Sequence, residues 1–165
     1  MKWIDNIFFI FFLKKGNIKD IKNNFLYLIF FKLFRLFLKG PFVISINNFK
    51  LNVFPQKTEP TCSILKRLKF HEFSELNLIE NFISKNRKIS FIDAGANYGY
   101  YSLFVASQST ENKVFSFEPS AVSRQQIIKN KDLNFLNNIK IEKFAISNSN
   151  SVIDFYESQY SWESS

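Results

Sequence analysis

Cysteine is almost absent from this chain of 165 residues. Cys62 stands alone, which excludes an internal disulfide, leaves too few thiolates for a zinc site and fits a reducing compartment. Histidine is as scarce: His71 is the only one, it precedes the region richest in motifs, and it reads as a surface residue. No metal site is expected. Glycine and proline number four each, and neither a low-complexity linker nor an internal repeat is evident. Long apolar runs are missing too. Ile7 to Leu13 is far too short to span a bilayer, and as a signal peptide it lacks a small-residue cleavage site.

What is present is phenylalanine, 22 of them in a chain that is 46% hydrophobic, and an uneven charge. Residues 1–40 hold eight Lys/Arg against two acids, whereas residues 41–165 hold fourteen against twelve. The basic excess therefore sits in the extension rather than on the folded part. A nucleic-acid partner, which would want a basic stripe on the domain itself, is not expected. Within the extension, Phe25 to Lys39 is apolar except for Lys32, Arg35 and Lys39, spaced three and four apart. On a helix those three make one narrow basic stripe beside a wide aromatic face. Such a helix either docks on the domain with its charged heads in water or lies on an anionic membrane surface. Three charges near the middle disfavour a true span. The expected location is the cytoplasm, with peripheral membrane contact through residues 1–40 as the variant.

The pattern divides into an extension over 1–40, a β-hairpin and loop over 41–69, and an α/β domain over 70–165. Gly40-Pro41 closes the extension. Phe42–Ile46 and Phe49–Phe54 alternate in strand fashion around Asn47-Asn48, and Pro55 to Pro60 reads as a loop. Ser74 is placed to cap a helix carrying Leu76, Ile79 and Ile83 on one face. Glu72 and Glu75, three apart, read as a solvated helix start rather than a carboxylate pair. Then follow strand 90–94, helix 98–107, strand 113–118, helix 120–136 and strand 140–146, with a further strand-like run at Val152–Tyr156. Alternation with short links predicts a parallel sheet with right-handed crossovers.

The densest signal is Asp93-Ala94-Gly95-Ala96-Asn97-Tyr98-Gly99-Tyr100-Tyr101, followed by Phe117-Glu118-Pro119. A strand, a Gly-punctuated turn, a helix and a second strand ending on a carboxylate are the parts with which a doubly wound sheet holds an adenosine-containing ligand. A dinucleotide fingerprint would need glycine where Asn97 and Tyr100 stand, so a nicotinamide or flavin oxidoreductase is disfavoured. No Gly-Lys-Ser/Thr follows Gly99, which excludes a P-loop. Glu118, nineteen positions beyond Gly99, is spaced to accept hydrogen bonds from two ribose hydroxyls at the tip of the next strand.

At these residues the chain resembles the class I S-adenosylmethionine-dependent methyltransferases, in the form used by the FkbM family. Asp93 to Tyr101 is similar to that family's first motif and Phe117-Glu118-Pro119 to its second. Leu133 to Asn138 resembles its Asn-rich helix end, Phe144-Ala145-Ile146-Ser147 its third strand, and His71 to Leu76 its lead-in. The likeness covers roughly residues 70 to 157. The third strand departs from the pattern, with Asn148 and Asn150 where Asp and Gly are usual. Family members continue through further strands, so the resemblance implies a truncated Rossmann-like methyltransferase sheet that carries only about the first half of the fold.

The resemblance implies S-adenosyl-L-methionine as cofactor, held by Asp93, Gly95, Ala96, Asn97, Gly99, Tyr100, Glu118 and Pro119. It also implies O-methylation of a sugar or other small hydroxyl-bearing acceptor. Methyl transfer is an in-line displacement from an already activated donor, so the protein mostly positions the partners and removes a proton. Gly95 and Gly99 are expected to let the main chain pass close under the ligand, and Asn97 to tolerate a left-handed backbone. Asp93 is expected to support the loop or the cationic methionine end. Tyr98, Tyr100 and Tyr101 are expected to divide between core and pocket rim, and Ser102 to pack at the helix. No catalytic base can be named. The contrasting reading is a non-catalytic remnant, membrane-peripheral or partner-binding.

Overall fold

The computed structural model describes residues 29, 31–33, 37–38, 40–46, 48–55, 61–62, 64, 73–86, 88–152 and 154–156. His71, Glu72, Arg35, Lys39 and most of the loop from Pro55 to Pro60 lie outside the described residues. The chain forms two compact units, Met1–His71 and Glu72–Ser165.

The first unit centres on a two-stranded antiparallel hairpin, β1 (Phe42–Ile46) and β2 (Phe49–Val53), with Phe42 opposite Val53 and Ile46 opposite Phe49. Strict alternation puts Phe42, Ile44, Ile46, Phe49, Leu51 and Val53 on one buried face. Phe31 and Leu38 are buried in the same unit, while Lys32, Leu33 and Phe37 are exposed. Past β2, the Thr61 hydroxyl accepts from the Phe54 amide and the Cys62 thiol donates to the Pro55 carbonyl. Cys62 is thus a buried structural thiol. Among the described residues no helix is long and apolar enough to cross a membrane.

The second unit runs α1 (Phe73–Lys85), β3 (Ser90–Ala94), α2 (Tyr100–Gln108), β4 (Lys113–Phe117), α3 (Ala121–Leu133) and β5 (Ile139–Glu142). Its three strands pair in parallel in the order β3-β4-β5, which is the expected Rossmann-like α/β arrangement. Parallel neighbours need crossover helices, and α2 and α3 supply them. Helix α2 carries no charge, and Ser102 to Ala106 are all buried, because it packs against the sheet and also meets α1. Leu76 is buried on α1, with Ile79 and Ile83 half-buried along the expected face.

Several boundaries differ from expectation for identifiable reasons. Helix α1 begins at Phe73, so Ser74 lies inside the first turn and does not cap it; its hydroxyl donates to Glu75, holding that carboxyl below the usual range, with the Glu75 backbone amide helping. Helix α2 starts at Tyr100 because Gly99, at φ 78°, is left-handed. Helix α3 stops at Leu133 because Phe135 is left-handed at φ 54°, where its amide bonds the Asp132 carbonyl. Strand β5 covers 139–142, not 140–146. The Glu118 amide gives its hydrogen bond to the Glu142 carbonyl, and the next amide on that side of the ladder, Ser120 N, is given to the Glu118 carboxylate instead. Phe144 and Ile146 are accordingly exposed, outside any strand. The described residues of the run Val152–Tyr156 form no strand either, and Val152 is fully exposed.

Asparagine side chains fasten the crossovers. Asn138 Nδ2 donates to the carbonyls of Ala106, Ser109 and Asn112 at 3.0–3.1 Å, closing the end of α2 over the start of β5. Asn112 Nδ2 donates to Val105, and its Oδ1 accepts from the Ile89 amide. Asn138→Asp removes both donor hydrogens at almost constant shape. A loss of about 1–3 kcal/mol in thermal or urea unfolding is the expected outcome.

Candidate functional site

The site is built where β3 and β4 end side by side, at the carboxyl edge of the parallel strands, where open α/β sheets bind their ligands. The turn after β3 has three left-handed residues: Gly95 at φ 79°, Asn97 at φ 48° and Gly99 at φ 78°. Its amides are anchored to the neighbouring strand. Both Gly95 N and Ala96 N donate to the Phe117 carbonyl, at 2.9 and 3.0 Å, and Gly99 N closes the turn on the Ala96 carbonyl at 2.7 Å.

The glycines serve different ends. A side chain on Gly95 would meet nothing within 4 Å, so the main chain there borders open space, as a backbone cradle requires. A side chain on Gly99 would stand 3.0 Å from Ile127 Cγ2. Gly99 is therefore fixed by the packing of the turn against α3, and its bare backbone faces Ile127 instead of open space. Beside it, the buried Asn130 donates to the Tyr98 carbonyl at 3.1 Å. Tyr98 is buried, whereas Tyr100 and Tyr101 are half-buried with tilted rings 5.6 Å apart.

Asp93 lies buried on the α2 side of the sheet. Its Oδ2 accepts from the Ser102 amide at 3.1 Å and from the Ser102 hydroxyl at 2.6 Å. Gly99, at the N-cap position, has no side chain to offer, so a carboxylate from the preceding strand caps the helix and sits favourably in its dipole. Ser102 Oγ also lies 2.6 Å from Ser116 Oγ. With the Ser102 proton directed to Asp93, Ser116 must donate to Ser102, and the chain of hydroxyls acquires one direction. Ser116→Ala should leave Ser102 donating but not accepting. The expected cost is about 0.5–1.5 kcal/mol of stability by melting, with Ser102→Ala costing more because it also strips a donor from buried Asp93.

Glu118, 7% exposed, is the centre of the site. Its Oε2 accepts from Asn97 N at 2.7 Å and its Oε1 from Ser120 N at 2.8 Å, so one carboxylate ties the turn after β3 to the turn after β4. Each oxygen retains a lone pair beyond these bonds. Ser120 then caps α3 by accepting from Ser123 N, and Arg124 of α3 donates to the carbonyls of Glu118 and half-buried Pro119 at 2.8 and 2.5 Å. Next to this corner a cavity of about 500 Å³ opens between α3 and the end of β5, with Ile128, Ile141 and Phe144 as apolar walls and Arg124 and Glu142 at its polar margin.

The structure thus brings Gly95, Ala96, Asn97, Glu118 and Pro119 together at one corner, and turns Asp93 and Gly99 toward the support of α2 and α3. Sequence reading missed Ser116, Ser120, Arg124 and Asn130. Of these only Ser120, the first residue of the expected helix, stands at a helix start with a side chain of a capping type, and the structure puts it one position before the helix, at the cap. Among the described residues no cluster of His, Cys, Asp and Glu could hold a metal ion.

No family model matches the chain. No curated protein matches it in sequence. Among solved structures it is similar to the crystal structure of M. jannaschii TYW2 in complex with AdoMet, at a TM-score of 0.42 and 17% identity over 63% of this chain. The chain spans 43% of the length of that protein. A likeness at that level carries no argument about function.

Proposed function

We propose that the chain binds S-adenosyl-L-methionine at the β3–β4 corner and belongs to a methyltransferase, acting on a hydroxyl of a sugar or other small acceptor in the manner of the FkbM family. The observation that carries this reading is Glu118. A buried carboxylate at the tip of the second strand, held by two backbone amides and still rich in acceptor capacity, suits a vicinal diol. Fit is supported by the open space at Gly95, where a ligand can approach the backbone. Asn97, in the same turn, keeps its Oδ1 buried without a hydrogen-bond partner.

In this reading Glu118 and the Gly95–Asn97 turn hold the nucleoside, and the cavity walled by Ile128, Ile141 and Phe144 receives the flat base. The bound donor supplies an electrophilic methyl group on a sulfonium centre. The residues of this chain bind and orient; Asp93, Ser102 and Ser116 keep the turn and α2 in register with β3. Residues 1–40 are proposed to bring the protein to a membrane surface.

Incubating the full chain with methyl-labelled donor and a panel of sugars tests the activity. Label in an alkali-stable ether is expected. A chain that binds donor yet labels no hydroxyl acceptor would favour the non-catalytic alternative.

A further inference from the structure

Arg124 directs all its hydrogen bonds to one short stretch of main chain. Half-buried on α3, it donates from Nη1 to the carbonyls of Glu118 and Pro119, and its own amide donates to the Ser120 carbonyl at 3.0 Å. One residue thus holds the three consecutive carbonyls of the turn that carries the carboxylate of the site. Among the described residues it forms no ion pair, so its charge serves main-chain carbonyls alone.

Helix α3 does not need the side-chain bonds. Ser120 already caps it through the Ser123 amide, and the Arg124 amide closes its first turn. The bonds answer a need of the sheet. In a parallel ladder, the residue that donates to Glu142 would accept at its carbonyl from the amide two positions further on, that of Phe144. Strand β5 ends at Glu142, and Arg124 takes the Glu118 carbonyl instead. Glu118 is therefore fastened at every polar group: its amide by β5, its carboxylate by Asn97 N and Ser120 N, its carbonyl by Arg124.

Resting on the methyl-donor reading above, we infer that Arg124 is a positioning residue for the ligand diol, acting through the main chain of Glu118 and not on the ligand. Its grip fixes the direction in which the strand tip aims the carboxylate. Without it the Glu118–Ser120 turn is free to rotate, and a hydrogen bond weakens steeply once its angle is lost.

Calorimetric titration of the full chain with S-adenosylhomocysteine and its 2′-deoxy and 3′-deoxy analogues tests this, comparing native protein with Arg124→Met and Arg124→Lys below their melting temperatures. Methionine keeps an unbranched, helix-compatible stem but no donor. Arg124→Met should bind S-adenosylhomocysteine about three- to thirtyfold more weakly, with a smaller loss for at least one deoxy analogue. Arg124→Lys should recover part of the affinity, because both native side-chain bonds leave a single nitrogen, which an ammonium can replace. A merely structural arginine would lower the melting temperature of Arg124→Met and leave the affinity of the folded variant unchanged. An arginine that touches the base would cost the same factor with all three ligands. Either result overturns the inference and leaves the donor reading standing. Absence of binding by the native chain overturns both. Should Arg124→Met fail to fold, Arg124→Gln, with its shorter neutral donor, is judged by the same criteria.

Discussion

Glu118→Ala should lower the melting temperature of the ligand-free chain and, separately, weaken its binding of S-adenosylhomocysteine about ten- to a hundredfold. The two effects have different origins. Without the carboxylate, Asn97 N and Ser120 N lose their acceptors in a site only 7% exposed at Glu118. Each buried amide left unsatisfied costs about 1–3 kcal/mol, a large share of the roughly 5–15 kcal/mol that holds a typical domain together. For a unit of this size, each 1 kcal/mol appears as a shift of about 4–8 °C. The affinity loss comes from the lone pairs that remain. Glu118→Gln separates the two: it keeps the shape and one oxygen, but turns an NH2 group toward one of the two amides. It should recover part of the stability and less of the affinity. A strand-end carboxylate in water would leave the melting curve of Glu118→Ala unmoved.

The second large effect is expected from Gly99→Ala, and Gly95→Ala supplies its control. The two glycines have almost the same dihedral, φ 78° and 79°, so alanine carries the same conformational penalty of about 1–2 kcal/mol at either. They differ in surroundings. At Gly95 the new methyl meets nothing within 4 Å; at Gly99 it meets Ile127 Cγ2 at 3.0 Å, on a side chain that is fully buried and cannot swing away. Overpacking adds about 1–3 kcal/mol. Gly99→Ala should therefore unfold at lower denaturant than Gly95→Ala by that difference. Ile127→Ala, costly alone, should be less than additive with Gly99→Ala. Binding should reverse the order: Gly95→Ala fills the open space assigned to the ligand and should weaken S-adenosylhomocysteine binding more.

The parallel pairing of β3, β4 and β5 was legible because strands and helices alternate with short links, and that signal survives without any knowledge of contacts. Asn97 was legible as a left-handed position from its residue type alone, whereas Gly99, read as a place for the main chain to pass under a ligand, is set by Ile127 of α3, which the local sequence does not reveal. The ends of elements were not legible, since they depend on partners. Nothing within residues 140–146 says that β5 must stop at Glu142; the stop follows where Ser120, twenty-odd positions away, gives its amide to the Glu118 carboxylate and not to the ladder. Asp93 reads in sequence as a support for the loop or for the cationic methionine end; its use as a remote cap for α2 follows from Gly99 having no side chain and from α2 crossing back over β3. The stapling by Asn112, Asn130 and Asn138 was hidden for a further reason: in a chain so rich in asparagine, composition gives no way to tell a staple from a loop residue.

The most direct test of the account is a calorimetric titration of the folded full chain with S-adenosylhomocysteine, run beside reduced nicotinamide dinucleotide. The corner built from Gly95, Asn97 and Glu118 predicts saturable one-to-one binding of the first and none of the second. A folded chain that ignores S-adenosylhomocysteine, or that prefers the dinucleotide, would contradict it.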